Sequence, residues 1–320
     1  MKKLDLNMPK ILIADSMDSI AENLLKEGNI DVDVNIGLTP DQLIKIIKEY
    51  DGLIVRSATK VTKEIIEAGL NLKVIGRAGA GVDNIDLVAA SNNKIIVMNT
   101  PGGNTNATAE HTLALLFSLI RNIPYANYGT HKGLWEKKKF KGNELKGKTL
   151  GIIGFGNVGR RFAEMCFSLG LNVIIYSKYF NSIKNEFLNY ESVNLDFLVK
   201  KSDIISFHCK ANDNGNPIIT MQNITNMKKN CLIINTARGN LIDENDLKKA
   251  LQQNLIKGAA LDVFIKEPAT ENQLFGLNNI ILTPHIAAST SEAQIIVAEM
   301  IGKQFCNYFN KNEVSNAVNL

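Results

Sequence analysis

A chain of 320 residues is long for a single hydrophobic core and comfortable as two, and 45% hydrophobic with 21% charged residues is the balance of an ordinary globular protein. Lysine and arginine number 36 against 32 aspartates and glutamates, a formal charge of +4. That mild excess argues against a dedicated nucleic-acid binder, which carries a denser basic stripe, and is compatible with an anionic small molecule as partner.

In chain order, the opening MKKLDLNMPK has charge but no apolar stretch, so no signal peptide is expected there. No later window approaches the ~18 apolar residues of a membrane span. A soluble protein is the expectation. About the first hundred residues then repeat apolar strand, turn and amphipathic helix. Strands are expected at Lys10–Ala14, Asp31–Ile36, Gly52–Val55, Lys73–Gly76 and Ile95–Met98. A helix at Asp41–Tyr50 is announced by Thr39-Pro40, a cap followed by proline in the first helical position. Strands this short and uniformly apolar are covered on both faces, and alternation with helices gives a parallel sheet.

The rhythm breaks at Asn99-Thr100-Pro101-Gly102-Gly103-Asn104, a turn-rich hexapeptide that reads as a hinge, with Ala288–Thr290 as its counterpart. A long apolar helix is expected from about Ala107 to Ile120, then a basic, aromatic connector from Trp135 to Lys141. A second series of strands follows at Thr149–Ile153, Asn172–Tyr176, Asp203–Phe207, Cys231–Asn235, Ile256–Leu261 and Ile280–Thr283, and a helix from about Ser291 to Asn310 closes it. The expected architecture is α/β: two doubly wound parallel-sheet domains, a Rossmann-type nucleotide domain (103–289) inserted in a flavodoxin-like substrate domain (1–102), to which 290–320 returns. The four cysteines form no C-x-x-C pair and read as reduced, structural thiols. No metal set is indicated.

Two constellations carry chemistry. The first is GIIGFGNVGR, which comes straight off the strand Thr149–Ile153 and opens a helix running toward Gly170. Gly154 permits a tight turn, Gly156 lets backbone approach a pyrophosphate, and Gly159 lets helix and strand pack closely. Asn157 and Val158 begin the helix whose free N–H groups face the anion. The acid that usually grips the ribose 2′-hydroxyl is missing, for the second strand ends in Tyr176-Ser177-Lys178. NAD and NADP therefore both stay open. The second constellation lies at successive strand ends, where doubly wound sheets bind ligands. Arg238 offers a planar fork to a carboxylate, His285 is a proton carrier in the working range, and Glu267 can orient and tune the imidazole.

GLIVRSATKVT, GRAGAGVDN, VMNTPGGN, KTLGIIGFGNVGR, NTARGNLIDE, ALDVFIKEP and LTPHIAAST resemble segments of the D-2-hydroxyacid dehydrogenases, over nearly the whole chain. RSATKVT and GRAGAGVDN are similar to the branch acting on phosphoglycerate. The resemblance implies that Arg238, Glu267 and His285 are catalytic. It implies that Arg56 grips a phosphate, and that Ser57, the loop Ala78, Gly79, Ala80 and Gly81, and Asn104 line the substrate. Further cofactor contacts would be Ser177, Lys178, His208, Cys209, Lys210, Thr236, Ala237 and Asp262. Many relatives have proline where Lys210 stands, so Lys178 and Lys210 together would admit NADPH. The resemblance also implies a cytoplasmic homodimer paired through the nucleotide domain, in a short form without added regulatory domains. Lys137 would then be either a phosphate ligand reaching the neighbouring subunit or part of a solvated charged face. The expected activity is NAD(P)-dependent oxidation of D-3-phosphoglycerate to 3-phosphohydroxypyruvate in serine biosynthesis. The alternatives are a hydroxypyruvate or glyoxylate reductase and a dinucleotide-sensing scaffold.

Overall fold

The computed structural model describes residues 8–178, 180, 189–212 and 214–320. The reading of MKKLDLN at the start of the chain lies outside the described residues. The chain divides into two compact units, Met1–Asn104 with Ser289–Leu320, and Thr105–Ala288.

The first unit contains β1 (Lys10–Ile13), α1 (Ile20–Glu27), β2 (Asp31–Val34), α2 (Pro40–Ile46), β3 (Gly52–Val55), α3 (Lys63–Ala68), β4 (Val74–Arg77), α4 (Leu87–Asn92) and β5 (Ile96–Asn99). The five strands are parallel in the order β2-β1-β3-β4-β5, the flavodoxin-like arrangement. The inner strands β3 and β4 are apolar and buried, as strands covered on both faces must be, apart from half-buried Arg77 at the end of β4. Strand β2 departs from that expectation: its sequence DVDV forms an edge, and Asp31 and Val34 are exposed. Charge suits an edge, and Asp33 accepts both the Lys10 ammonium and the Tyr50 hydroxyl. The Thr39 cap is reciprocal, since its hydroxyl takes the Gln42 N–H while the Gln42 side chain takes the Thr39 N–H. The helix it opens stops at Ile46 and tightens into a 3-10 turn, Ile47–Glu49, short of the Tyr50 expected.

The helix Ser291–Lys311 completes this unit, capped by Thr290 through the Ala293 N–H. It lays Ile301 and Phe305 on the sheet, where Gly76 makes the room: a Cβ there would stand 2.4 Å from the Phe305 ring. The segment after it runs along β5. Asn99 N donates to Asn316 O, Val318 N to Val97 O, and the Asn319 amide bonds both Val97 N and Ile95 O.

The second unit holds α5 (Thr105–Ile120), α6 (Ile123–His131), β6 (Thr149–Ile153), α7 (Asn157–Ser168), β7 (Asn172–Tyr176), β8 (Glu191–Ser192), α8 (Leu195–Lys201), β9 (Ile204–Phe207), α9 (Met221–Ile224), β10 (Leu232–Asn235), α10 (Glu244–Gln252), β11 (Gly258–Leu261) and β12 (Ile280–Leu282). Its sheet is parallel throughout in the order β12-β11-β10-β9-β6-β7-β8. Strand order reverses between β6 and β9, and that switch point is where such sheets receive a nucleotide. Both expected doubly wound sheets are therefore present. Helix α6 was not anticipated. It starts from Asn122 in a left-handed conformation (φ 55°), with Pro124 in its first turn. Among the described residues no helix is long and apolar enough to cross a membrane.

Candidate active site

At the carboxyl end of β6 the chain turns through Gly154 at φ +92°, and a side chain there would strike the backbone of His208 and Cys209 at 2.7 Å. Gly159 faces the Gly154 carbonyl so closely that a Cβ would stand 2.4 Å from its oxygen. Gly156 is the opposite case: nothing lies within 4 Å of the place a Cβ would occupy. It caps α7 without any side-chain bond to the first N–H groups. An open glycine at an uncapped helix start fits a pyrophosphate, because the N–H groups of Asn157 and Val158 and the helix dipole remain directed outward.

Around this turn the other expected cofactor residues fall into two groups. Lys178 and Lys210 are exposed, and Ser177, half-buried, follows the last residue of β7 and precedes Lys178. His208 points elsewhere. Its Nε2 meets the Ser206 hydroxyl at 2.9 Å, its ring packs on Phe162 at 5.1 Å, and burial pushes its pKa down to about 3. It is a neutral packing residue whose backbone, rather than its ring, borders the glycine turn. Burial likewise pushes the Cys209 thiol up to about 11.

The Arg238 loop follows β10 and is stapled by Asn235, which sequence reasoning passed over. The Asn235 side chain accepts from Ala237 N at 3.0 Å and donates to Arg238 O at 2.7 Å. Arg238 itself donates through Nη1 to Ala237 O. Thr236 is buried, and its hydroxyl meets that of Thr112 on α5.

Glu267 and His285 are in contact. Oε2 of Glu267 lies 2.6 Å from His285 Nδ1, while Oε1 accepts the Phe264 N–H. The hydrogen bond to Glu267 raises the imidazole pKa; partial burial opposes this, the charges of Glu267 and Asp262 add to it, and Arg238 subtracts. Burial pushes the Glu267 carboxyl up, but the bonds from His285 and Phe264 N outweigh it and hold the group below its ordinary value. An ionised Glu267 only accepts, so Nδ1 carries a proton and Nε2 is the nitrogen left to exchange one.

Asp262, expected from sequence among the cofactor contacts, is 0% exposed, and its carboxylate is engaged by its own chain. Thr283 Oγ1 donates to it at 2.6 Å, Ile286 N at 2.9 Å and Ala287 N at 2.8 Å, with His111 Nε2 at 3.4 Å. These bonds hold the turn in which His285 sits at φ +53°, a left-handed conformation costly for a residue with a side chain.

In the first unit, Asp15 accepts from Arg56 N, Thr59 N and Thr59 Oγ1, and Asn84 donates to the carbonyls of Arg56 and Thr59. The Arg56–Thr59 loop, Ser57 included, is thus rigidly built after β3. Desolvation lowers the Arg56 pKa and Asp15 opposes it, and Nη1 donates to Ser16 O. The loop Ala78–Gly81 is tied by Asn99 Nδ2 to Ala80 O and by Thr100 N to Gly79 O. Gly79 has φ +150°, with the Arg77 guanidinium across the face a Cβ would need. Asn104 is the last residue of this stretch and is half-buried. In the second unit Lys137 is exposed and makes no hydrogen bond or ion pair among the described residues, whereas Lys139 pairs with Glu136. A cavity of about 340 Å³ lined by Lys148, Asp203 and Lys257 lies at the amino ends of β9 and β10, the edge opposite these catalytic candidates.

Residues 113–287 match the family model of the D-isomer specific 2-hydroxyacid dehydrogenases, NAD binding domain. The chain is 41% identical over 312 residues to the D-3-phosphoglycerate dehydrogenase of Archaeoglobus fulgidus, which covers 97% of this chain and 59% of that protein. The chain thus spans about three fifths of the length of that relative. It is 43% identical over 301 residues to the hydroxypyruvate reductase of Thermotoga maritima, covering 92% of this chain and 97% of that one. Among solved structures it is similar to the NAD+-bound 3-phosphoglycerate dehydrogenase of Entamoeba histolytica, with TM-score 0.84, 30% identity and coverage of 98% and 99%.

Proposed function

The chain belongs to the D-isomer specific 2-hydroxyacid dehydrogenase family, and from that premise we propose that it oxidises D-3-phosphoglycerate to 3-phosphohydroxypyruvate with NAD. The observation that carries the chemistry is the Glu267–His285 bond at 2.6 Å, in the same unit as the Arg238 loop and the open glycine turn. In the oxidation, His285 Nε2 takes the proton of the substrate hydroxyl while Glu267 stabilises the imidazolium that results. Arg238 holds the substrate carboxylate and the oxygen on C2, which keeps the reacting carbon fixed. Bound NAD supplies the hydride acceptor. Asn157 and Val158 N–H groups would hold its pyrophosphate, with Thr236 and Ala237 at the neighbouring strand end.

Arg56, on a loop anchored by Asp15 and Asn84, is assigned to the substrate phosphate, with Ser57, Ala78–Gly81 and Asn104 as further substrate contacts. Lys137 is assigned to the same phosphate from a second subunit, and the activity to serine biosynthesis. A homodimer through the nucleotide unit is supported by the exposed apolar side chains Ile123, Tyr128, Leu134 and Trp135, the last 85% exposed. A cytoplasmic location is supported by the four free thiols. A second reading, reduction of hydroxypyruvate, is favoured by one specific observation: the Thermotoga maritima reductase is matched over 97% of its length. Initial rates of NADH oxidation with 3-phosphohydroxypyruvate and with hydroxypyruvate at equal concentration decide between them. A large preference for the phosphorylated acid supports the proposal, and equal rates or the reverse preference move the protein to the reductase reading.

A further inference from the structure

Helix α5 sends two consecutive side chains, His111 and Thr112, against the two loops that carry Arg238 and His285. Thr112 is 0% exposed. Its hydroxyl has one proton, and the Thr108 carbonyl, which can only accept, takes it at 2.7 Å. The 2.8 Å contact with Thr236 Oγ1 must then run the other way, with Thr236 donating to Thr112. Thr236 stands two residues before Arg238, so the helix supports the loop from beneath while Asn235 closes it from within.

The same proton accounting fixes His111. Burial raises the pKa of the Asp262 carboxyl, but its hydrogen bonds prevail and keep it ionised, so it only accepts. Thr283 Oγ1 therefore gives its single proton to Asp262. At 3.2 Å from that same oxygen, His111 Nε2 can only be a donor, its N–H shared between Thr283 and Asp262. Asp262 in turn holds Ile286 N and Ala287 N, the two groups that follow His285.

We propose that His111 and Thr112 are positioning residues: one turn of α5 sets the Arg238 loop through Thr236 and the His285 turn through Asp262 and Thr283. The inference rests on the reaction proposed above for Arg238 and His285. Neither residue touches the reacting atoms. Their effect is to keep the loops that follow β10 and β12, two strands apart in the sheet, in one fixed relation, which a fork and a proton carrier acting on one substrate require. The charged groups facing His285 are Glu267, Asp262 and Arg238, and His111 faces Asp262.

The test follows the His285 imidazole by NMR titration in the full chain, where only four histidines need assignment, alongside kcat, substrate KM and dinucleotide Kd. His111→Leu is expected to lower the His285 pKa by about 0.5 and kcat by about tenfold, with dinucleotide Kd unchanged within about twofold. His111→Gln, which keeps a donor near the Nε2 position, is expected to restore both. Thr112→Val is expected to raise substrate KM through the Arg238 loop, and Thr112→Ser to restore it. A lowered melting temperature with the His285 titration, kcat and KM at parental values overturns the inference. Should His111→Leu not fold, the Thr112 pair still decides it by the same KM criterion. If the parent turns over no 2-oxo acid, the proposed reaction fails, and the His285 titrations of the His111 variants still test the wiring.

Discussion

The Nδ1 of His285 lies 2.6 Å from Oε2 of Glu267, and this bond is the largest cause of the raised imidazole pKa. Oxidation needs neutral His285, so its rate rises as pH climbs through that pKa; reduction needs the imidazolium and falls over the same range. Glu267→Gln should shift both limbs to lower pH and cut kcat by about a hundredfold. A kcat/KM profile that keeps its limbs in place would remove Glu267 from the assignment.

The same pair bears on stability. His285 is raised above its ordinary 6.5, so its contribution is full below that value and is lost as pH rises through the raised one. Glu267 is lowered from its ordinary 4.5, so its contribution is full above that value and is lost as pH falls through the lowered one. Urea midpoints of the parent and Glu267→Gln should therefore differ most between about pH 5 and pH 6.5 and converge on either side. Curves that run parallel from about pH 4 to pH 9 would show that the pair contributes nothing measurable.

Gly156 and Gly159 should separate binding from folding. Gly156→Ala has open space and φ −79°, so its melting temperature should match the parent while dinucleotide Kd rises by about tenfold or more. Gly159→Ala places a methyl 2.4 Å from a backbone carbonyl and should destabilise the unit by about 1–3 kcal/mol. Calorimetry and fluorescence titration on both variants check this, and equal stability losses would mean that the open cradle at Gly156 is misread.

Ser177 and Lys178 stand where a carboxylate usually selects NAD, and Lys178 and Lys210 are both exposed. Measurable use of NADPH is expected, with Lys178→Ala plus Lys210→Ala reducing NADPH efficiency about tenfold and NADH efficiency little. A parent that strongly prefers NADH from the outset would end this idea.

Much of the second unit was legible because its signals are local. GIIGFGNVGR carries turn, cradle and packing glycine within a few residues, and the strands β6, β7, β9 and β10 are short apolar runs. Arg238, Glu267 and His285 were visible as polar residues at strand ends. Their supports were not. Thr112 meets Thr236 across 124 positions, and His111 meets Thr283 across 172. A buried threonine in an apolar helix looks like any other until its partner is known. Asp262 shows the same limit: an acid at a strand end suggests a ligand contact, and only the fold shows that Thr283, Ile286 N and Ala287 N donate to its carboxylate. The edge position of β2 and the extra helix α6 depended on neighbours that sequence does not display.

The first unit is written in two pieces, with the second unit between them in the chain. Val297, Ile301 and Phe305, which belong to its core, are synthesised after every residue of the second unit. On a ribosome the nucleotide unit can close its sheet first, while the sheet made earliest waits with one face covered only in part, by α1, for Ser291–Lys311. Aggregation during synthesis should therefore begin from that waiting face, over β3 and β4, and a nascent chain arrested before Ser291 should show protease cuts there and protection in the unit made later.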